Sequence, residues 1–304
     1  MSGADGLQEL HAADLELIGE GGNSRVYRLE GNKVVKVFHK DIPKDMVCYE
    51  NDRSCEAYAA GLTCAACFGM VSVDGCLGIV YENLGSRDLL SLIVCDKAHL
   101  KDYIREFARQ VRVMHSKNVD TARLKDAKQV FEAYLDRLTG HLCTPDEVGR
   151  LKRVCTGIPD RTTFIHGDCH PGNVMERDGK LILIDLSSCG YGHPVFDLAG
   201  MYSIYMTAAE DEERRKKLVP ARDFTARECR TIWDTFLRAY FEGGDEAFLH
   251  KVQEQIQGFV RVRRLLRTLI VADEDLHQYD EAKQAATRRG TGAGRVPPRR
   301  DAAP

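Results

Sequence analysis

The stretch His166-Gly-Asp-Cys-His-Pro-Gly-Asn-Val174 crowds several chemistry-capable side chains into one turn. His166, Cys169 and His170 are residue types that hold transition metals. Asp168 and Asn173 instead offer oxygen donors. The nitrogen-and-sulfur set needs the two histidines on one helical face, and Pro171-Gly172 prevents a helix there. The lone Cys64-Ala-Ala-Cys67 supplies no second ligand pair, so it reads as packed thiols between a helix and a strand. A Cys169 nucleophile served by His166 or His170 would leave Asp168 and Asn173 idle. The oxygen set gains a third member downstream. Asp178-Gly179 is a two-residue hairpin signal, and that turn sets Asn173 opposite Ile184 with Asp185 beside it at the open end. A carboxylate and an amide oxygen placed so can hold Mg²⁺. The remaining carboxylate, Asp168, can orient and deprotonate a hydroxyl. His166 reads as a hydrogen-bonding residue that shapes the loop.

A second constellation lies upstream. Ile18 to Tyr27 (IGEGGNSRVY) places Gly21, Gly22, Asn23 and Ser24 between two strand signals, where backbone amides can approach phosphate oxygens. Glycine turns between strands are common, so the context matters. Lys36 follows within Val34-Val-Lys-Val-Phe38, a charge inside an apolar strand that is costly unless paired. An edge lysine that snorkels is the bland alternative. Glu50 on the next helical stretch is the first candidate partner, and Glu56 the second.

The elements that must position these residues follow from periodicity. Strand signals cover Leu15–Ile18, Arg25–Leu29, Lys33–Phe38, Cys67–Val73 and Leu77–Tyr81, interrupted by one helix over about Met46–Gly61. After Asp88 the pattern turns helical, over Leu100–His115, Val130–Leu142 and from about Asp197 to Leu276. The implied architecture is α+β, with a small antiparallel β region carrying one helix over 11–84 and a larger mainly helical region over 85–280. The tail 284–304, rich in Gly, Pro, Arg and Ala, reads as disordered. The net charge of −3 offers no basic field for nucleic acid or an anionic membrane surface. No run approaches the roughly 20 apolar residues of a membrane span. The first residues carry early acids and no apolar run, unlike a secretory signal. Eleven scattered cysteines, an odd number, fit free thiols in a reducing cytoplasm.

Together these residues resemble the aminoglycoside phosphotransferase and choline kinase-like family, small-molecule kinases with the protein kinase-like fold. The likeness spans roughly residues 15 to 275. His166-Gly-Asp168-Cys-His-Pro-Gly-Asn173 is similar to the family's catalytic loop, and Leu183-Ile-Asp185 to its metal-binding aspartate. Lys36 with Glu50 resembles the phosphate-orienting ion pair, and Tyr81-Glu82-Asn-Leu84 the hinge whose backbone receives adenine. The resemblance implies two lobes, ATP and Mg²⁺ as cofactors, Asp168 as the catalytic residue and Asn173 and Asp185 as metal ligands. It implies a small hydroxylated substrate of aminoglycoside, choline or sugar type. Departures are visible: Ser24 stands where protein kinases have a third glycine, Leu186-Ser187 follows Asp185 in place of Phe-Gly, and only 186–196 separate Asp185 from Asp197. That leaves little room for a phosphorylatable activation segment and disfavours a protein substrate. The competing class is a catalytically silent, nucleotide-binding regulatory protein of the same fold, which need not keep the whole polar set.

Other features read as structural. Asp197 can bond the catalytic loop or cap the helix after His193-Pro194. His115 ends its helix as a packed or capping residue, and Glu210–Lys217 is a solvated charge run. Arg261, Arg263, Arg264 and Arg267, followed by Asp273, Glu274, Asp275, Asp280 and Glu281, are exposed helix-end charges; the acids alone would also suit a cationic substrate.

Overall fold

The computed structural model describes residues 6–137, 143–260 and 263. Alternating β-branched residues between glycine turns build the first layer. Strands β1 (Glu9–Leu10), β2 (Glu16–Glu20), β3 (Ser24–Leu29), β4 (Lys33–Phe38), β5 (Cys67–Val73) and β6 (Cys76–Glu82) form one sheet in the order β1-β5-β6-β4-β3-β2. Every neighbouring pair is antiparallel except the two-residue edge β1, which runs parallel to β5. The period of two divides β4 between two faces. Val35 and Val37 pack with Val71, Val73 and Val80, while Phe38 packs with Val47 and Ile79 on the helix side. Lys36 shares that second face. It therefore points at the helix.

That helix, α1 (Lys44–Ala59), links β4 to β5 and buries Val47, Glu50, Ser54 and Ala57 on one stripe. It starts and stops two residues before the limits that periodicity suggests. Gly61, at φ +73°, ends it: its left-handed conformation lets the Leu62 N–H reach back to the Ala57 carbonyl. The Asp74-Gly75 and Asp178-Gly179 turns both have positive φ at each residue, which matches the twist of a two-residue hairpin.

The remainder is mainly helical: α2 (Leu89–Cys95), α3 (Leu100–Met114), α4 (Ala127–Arg137), α5 (Pro145–Thr156), α6 (Val195–Glu210), α7 (Glu212–Lys217) and α8 (Ala226–Tyr240), with a further helix over 246–260. Ile104, Phe107, Val111 and Met114 face inward from α3, as their spacing predicts; Leu100 joins them, while Tyr103, of the same spacing, is only half-buried. They meet Ile232, Trp233 and Phe236 of α8, with the Phe107 and Phe236 rings 5.6 Å apart. Burial of each such side chain stabilises by roughly 1.5–3 kcal/mol, so this layer is a firm base for the loops above it. The stretch expected as a helix over 130–142 is helical from Ala127 to Arg137, and 138–142 lie outside the described residues. Glu212–Lys217 is an exposed short helix. Of the late arginines only Arg263 is described; its guanidinium donates to the Phe196 carbonyl at 2.8 Å. The acids from Asp273 to Glu281 and the tail 284–304 also lie outside the described residues.

Between α5 and α6 sit four short strands, β7 (Phe164–Ile165), β8 (Val174–Arg177), β9 (Lys180–Leu183) and β10 (Gly190–Tyr191). β8 and β9 form the hairpin in the expected register, Val174 opposite Leu183, and the Ile184 N–H donates to the Asn173 carbonyl at 3.0 Å. The hairpin is held from both sides. Leu183 exchanges backbone bonds with Thr63 and Ala65, and the Glu176 N–H donates to Arg87. The residues of interest thus lie where the sheet meets the helical region.

Candidate active site

The catalytic-loop candidate leaves β7 at Ile165, and its first residue is fully buried. His166 Nδ1 accepts from the Asp168 N–H at 3.4 Å, so Nε2 carries the proton it donates to the Ile184 carbonyl at 3.0 Å. The ring joins the loop to the end of the hairpin. Below it, Asp197 accepts the N–H groups of His166 and Gly167, each at 2.7 Å, and His115 Nε2 at 3.0 Å. Burial raises the Asp197 carboxyl, but His115 and the loop amides outweigh that and hold it below its ordinary value. His115 is fixed in turn by the Tyr240 hydroxyl at 2.8 Å. Gly167 has φ +83°, and a Cβ there would collide with the Ser188 carbonyl. Glycine is required at this position.

Asp168 projects from this frame with its side chain 55% exposed. Asn173 Nδ2 donates to the Asp168 carbonyl at 2.8 Å and to its carboxylate at 3.2 Å. With the nitrogen so engaged, Asn173 presents its amide oxygen elsewhere. Pro171–Asn173 is a single 3-10 turn, so His166 and His170 do not share a helical face. His170 Nδ1 accepts from the Gly172 N–H at 3.1 Å, which leaves the protonated Nε2 3.6 Å from the Asp168 carboxylate. The His170 imidazole beside it holds the Asp168 carboxyl down at about 2, against the opposing effect of burial. Asp168 is therefore a firm anion and a weak base.

Lys36 bridges two carboxylates, Glu50 at 2.7 Å and Asp185 at 3.3 Å. Glu56 turns away to Arg123 at 3.1 Å, so Glu50 is the partner. Burial disfavours the Lys36 ammonium, yet Asp185 and Glu50 outweigh it and raise its pKa. Burial pushes the Glu50 carboxyl up, and Lys36 offsets only part of this. Asp185 sits at φ 56°, a left-handed conformation that aspartate tolerates better than most side chains and that marks functional turns. Arg53, three residues past Glu50 and buried, ties α1 to the turn after Asp185. Its guanidinium donates to the Ser187 carbonyl and the Tyr49 hydroxyl, and lies 3.4 Å over the Tyr49 ring. Nothing local in the sequence marks this contact.

These groups surround a cleft of about 640 Å³. Ser24, Val26 and Val34 wall it from the sheet, Leu84 from the connector over 83–88 between β6 and α2, and Met175 and Ile184 from the hairpin. Among the described residues the Leu84 N–H has no hydrogen-bond acceptor, whereas the Glu82 N–H is taken by Ala66 and the Glu82 side chain by Arg177 at 2.6 Å. Gly21 lines the cleft. Gly22 and Asn23 form the exposed loop tip outside its lining, and the His39 N–H pins that tip by donating to the Asn23 carbonyl at 3.0 Å. A second cavity of about 480 Å³ adjoins the cleft across Asp88 and Gly172, and Asn173 and His170 line it. The oxygen donors Asp185 and Asn173 suit a hard cation such as Mg²⁺, which takes few protein ligands and leaves positions for phosphate and water. The Lys36 ammonium at Asp185 shows that this corner accepts positive charge.

A β-sheet with one helix, a connector and a mainly helical region, meeting at a largely apolar cleft with the Lys36–Glu50–Asp185 cluster on its wall, define an α+β kinase-like protein. The family model of the phosphotransferase enzyme family (APH) matches residues 14–233, and the chain belongs to that family. Solved structures of the same fold include a choline/ethanolamine kinase family protein from Mesorhizobium loti (TM-score 0.56, 16% identity, 86% of this chain and 80% of that chain). Amicoumacin kinase hAmiN, solved with AMP-PNP, Ca²⁺ and Ami, is similar to the same degree (TM-score 0.56, 16% identity, 88% and 83% covered). A methylthioribose kinase from Pectobacterium carotovorum subsp. carotovorum is 26% identical over 153 residues, 44% of this chain and 38% of that protein. The match thus spans well under half of that relative's length. Among the described residues no helix is long and apolar enough to cross a membrane.

Proposed function

We propose that this phosphotransferase moves the γ-phosphate of ATP to a hydroxyl of a small molecule, with Mg²⁺. The observation that carries the reading is Lys36 held between Glu50 and Asp185 at 2.7 and 3.3 Å, at the cleft whose edge bears the Asp168–Asn173 pair. Lys36 holds phosphate oxygens, and Glu50 keeps its ammonium aimed. The Leu84 N–H and the apolar walls receive the base, with the Glu82 backbone beside them, while Gly21 and Ser24, the members of the glycine loop that line the cleft, face the phosphates. Mg²⁺ held by Asn173 and Asp185 would neutralise charge on those phosphates. Asp168 accepts a hydrogen bond from the acceptor hydroxyl and aligns its oxygen for in-line attack. With its carboxyl held at about 2, orientation is its main contribution, since early proton removal needs a stronger base. Positioning and charge neutralisation carry such a transfer. The named relatives act on, or are classed with enzymes of, methylthioribose, choline or ethanolamine, and amicoumacin, which supports a small-molecule acceptor. Residues 11–84 would form the nucleotide lobe and 85–280 the catalytic and substrate lobe, in a cytoplasmic enzyme.

ADP release from ATP tests this directly, with pooled alcohols, choline, sugars and aminoglycosides, with and without Mg²⁺. Mg²⁺-dependent release stimulated by at least one pool is expected. Nucleotide-induced stabilisation with no turnover on any pool would make the chain a binding module instead.

A further inference from the structure

Glu50 meets Lys36 through two flexible side chains, and the terminal torsion of a carboxylate is soft. Lys36 is itself divided between Glu50 and Asp185, at 2.7 and 3.3 Å. Such a pair keeps no fixed geometry unless a stiffer residue holds one member. Tyr81 makes that third contact. Its hydroxyl donates to Glu50 Oε1 at 3.4 Å, the same oxygen that takes the Lys36 ammonium.

The sheet places Tyr81. It lies on β6 between two paired strands, opposite Val34 of β4 and Cys67 of β5. Its ring packs against two apolar clusters, one of Phe38, Val47 and Ile79 and one of Ala65, Leu84 and Ile182. A ring with only two torsions, packed in this way, leaves its hydroxyl little freedom. Helix α1 supplies the other half. Glu50 and Ser54 are one helical turn apart and both buried, and the Ser54 hydroxyl oxygen lies 3.0 Å from that of Tyr81. An ionised Glu50 can only accept, so the single Tyr81 proton goes to it and the Ser54 hydroxyl donates to Tyr81. Burial, and after it the Glu50 charge, pushes the Tyr81 hydroxyl's pKa up, so it remains a donor. At 3.4 Å the contact is long for a hydroxyl on a carboxylate, so it contributes orientation more than strength.

We infer that Tyr81 is a positioning residue for phosphoryl transfer, an inference that rests on the kinase reading above. Through the chain Ser54–Tyr81–Glu50 it fixes the Glu50 carboxylate, and thereby the Lys36 ammonium, where phosphate oxygens arrive. This role belongs to the hydroxyl and is separate from base binding at the Leu84 N–H.

The experiment measures ADP release from Mg-ATP with a turned-over acceptor for wild type, Tyr81→Phe, Glu50→Ala and the double variant. Titrations of each with adenosine and with Mg-AMP-PNP run beside it. Tyr81→Phe keeps the ring and removes only the hydroxyl. It should lower kcat about three- to tenfold, as loss of one modest hydrogen bond implies, with adenosine affinity within about twofold of wild type. Ser54→Ala should lower kcat in the same direction by less. In the Glu50→Ala background Tyr81→Phe should cost nothing further, because the hydroxyl acts only through that carboxylate. Adenosine binding by each variant reports that it is folded. Wild-type kcat in Tyr81→Phe, an equal loss in both backgrounds, or a loss carried by weaker adenosine binding overturns the assignment. Failure of the kinase reading itself looks different: the wild type then binds no Mg-AMP-PNP and releases no ADP.

Discussion

Asp168 and Glu50 have carboxyls shifted in opposite directions, and the difference decides how activity should respond to acid. His170 holds the Asp168 carboxyl down at about 2, so it stays ionised through any usable assay range. Burial raises the Glu50 carboxyl above its ordinary 4.5, so Glu50 takes up a proton first as pH falls. Protonated Glu50 no longer anchors the Lys36 ammonium, and activity should decline through that raised value. The acid limb of kcat/KM therefore belongs to Glu50. Glu50→Gln should remove this limb and leave a flat profile at about a tenth of the rate or less, the loss of one charge-assisted hydrogen bond. A limb that persists unchanged in Glu50→Gln would assign it to another group. Much of this was legible in the sequence. A lone lysine in VVKVF is costly without a carboxylate, and Asn173 and Asp185, on either side of the Asp-Gly hairpin, converge by register alone. The buried supports were less so. Asp197 reads from sequence as a loop ligand or a cap with equal ease, and its bonds to the His166 and Gly167 amides emerge only when α6 is packed.

Helix α1 is held in place from outside itself. Arg53 joins it to the Ser187 carbonyl just beyond Asp185, so the helix bearing Glu50 and the turn bearing Asp185 move as one. Arg53→Lys keeps the charge but loses the planar fork that serves Ser187 and Tyr49 together. It should cost about 1–3 kcal/mol in denaturant unfolding, because buried acceptors lose a donor. It should also lower kcat, since Glu50 and Asp185 lose their common brace. Wild-type stability and kcat in this variant would contradict the brace. The extents of the elements show why such contacts escape prediction. β4 and β5 match their expected limits residue for residue, with the turn residues Gly31-Asn32 opening β4 and Asp74-Gly75 closing β5. β1, β7 and β10 have two residues each, too few to show any period, and they form only because partner strands lie alongside.

Across the whole molecule, the sheet region brings Lys36 and Glu50 to a hairpin that the helical region carries with Asp168, Asn173 and Asp185. The contact from Lys36 to Asp185 crosses 149 positions of chain. Local pattern located both ends but could not join them; the resemblance of the catalytic loop did. What sequence left open was the acceptor, since spacing does not predict which side chains of the helical region meet. Transfer from nucleotide to acceptor across Asp168 is the central claim. Steady-state ADP release with a turned-over acceptor, measured for wild type and Asp168→Asn beside Mg-AMP-PNP titrations of both, tests it most directly. The variant should lose about 10²–10⁴-fold in kcat while binding nucleotide within a few-fold of wild type. Turnover by Asp168→Asn at the wild-type rate would contradict the claim.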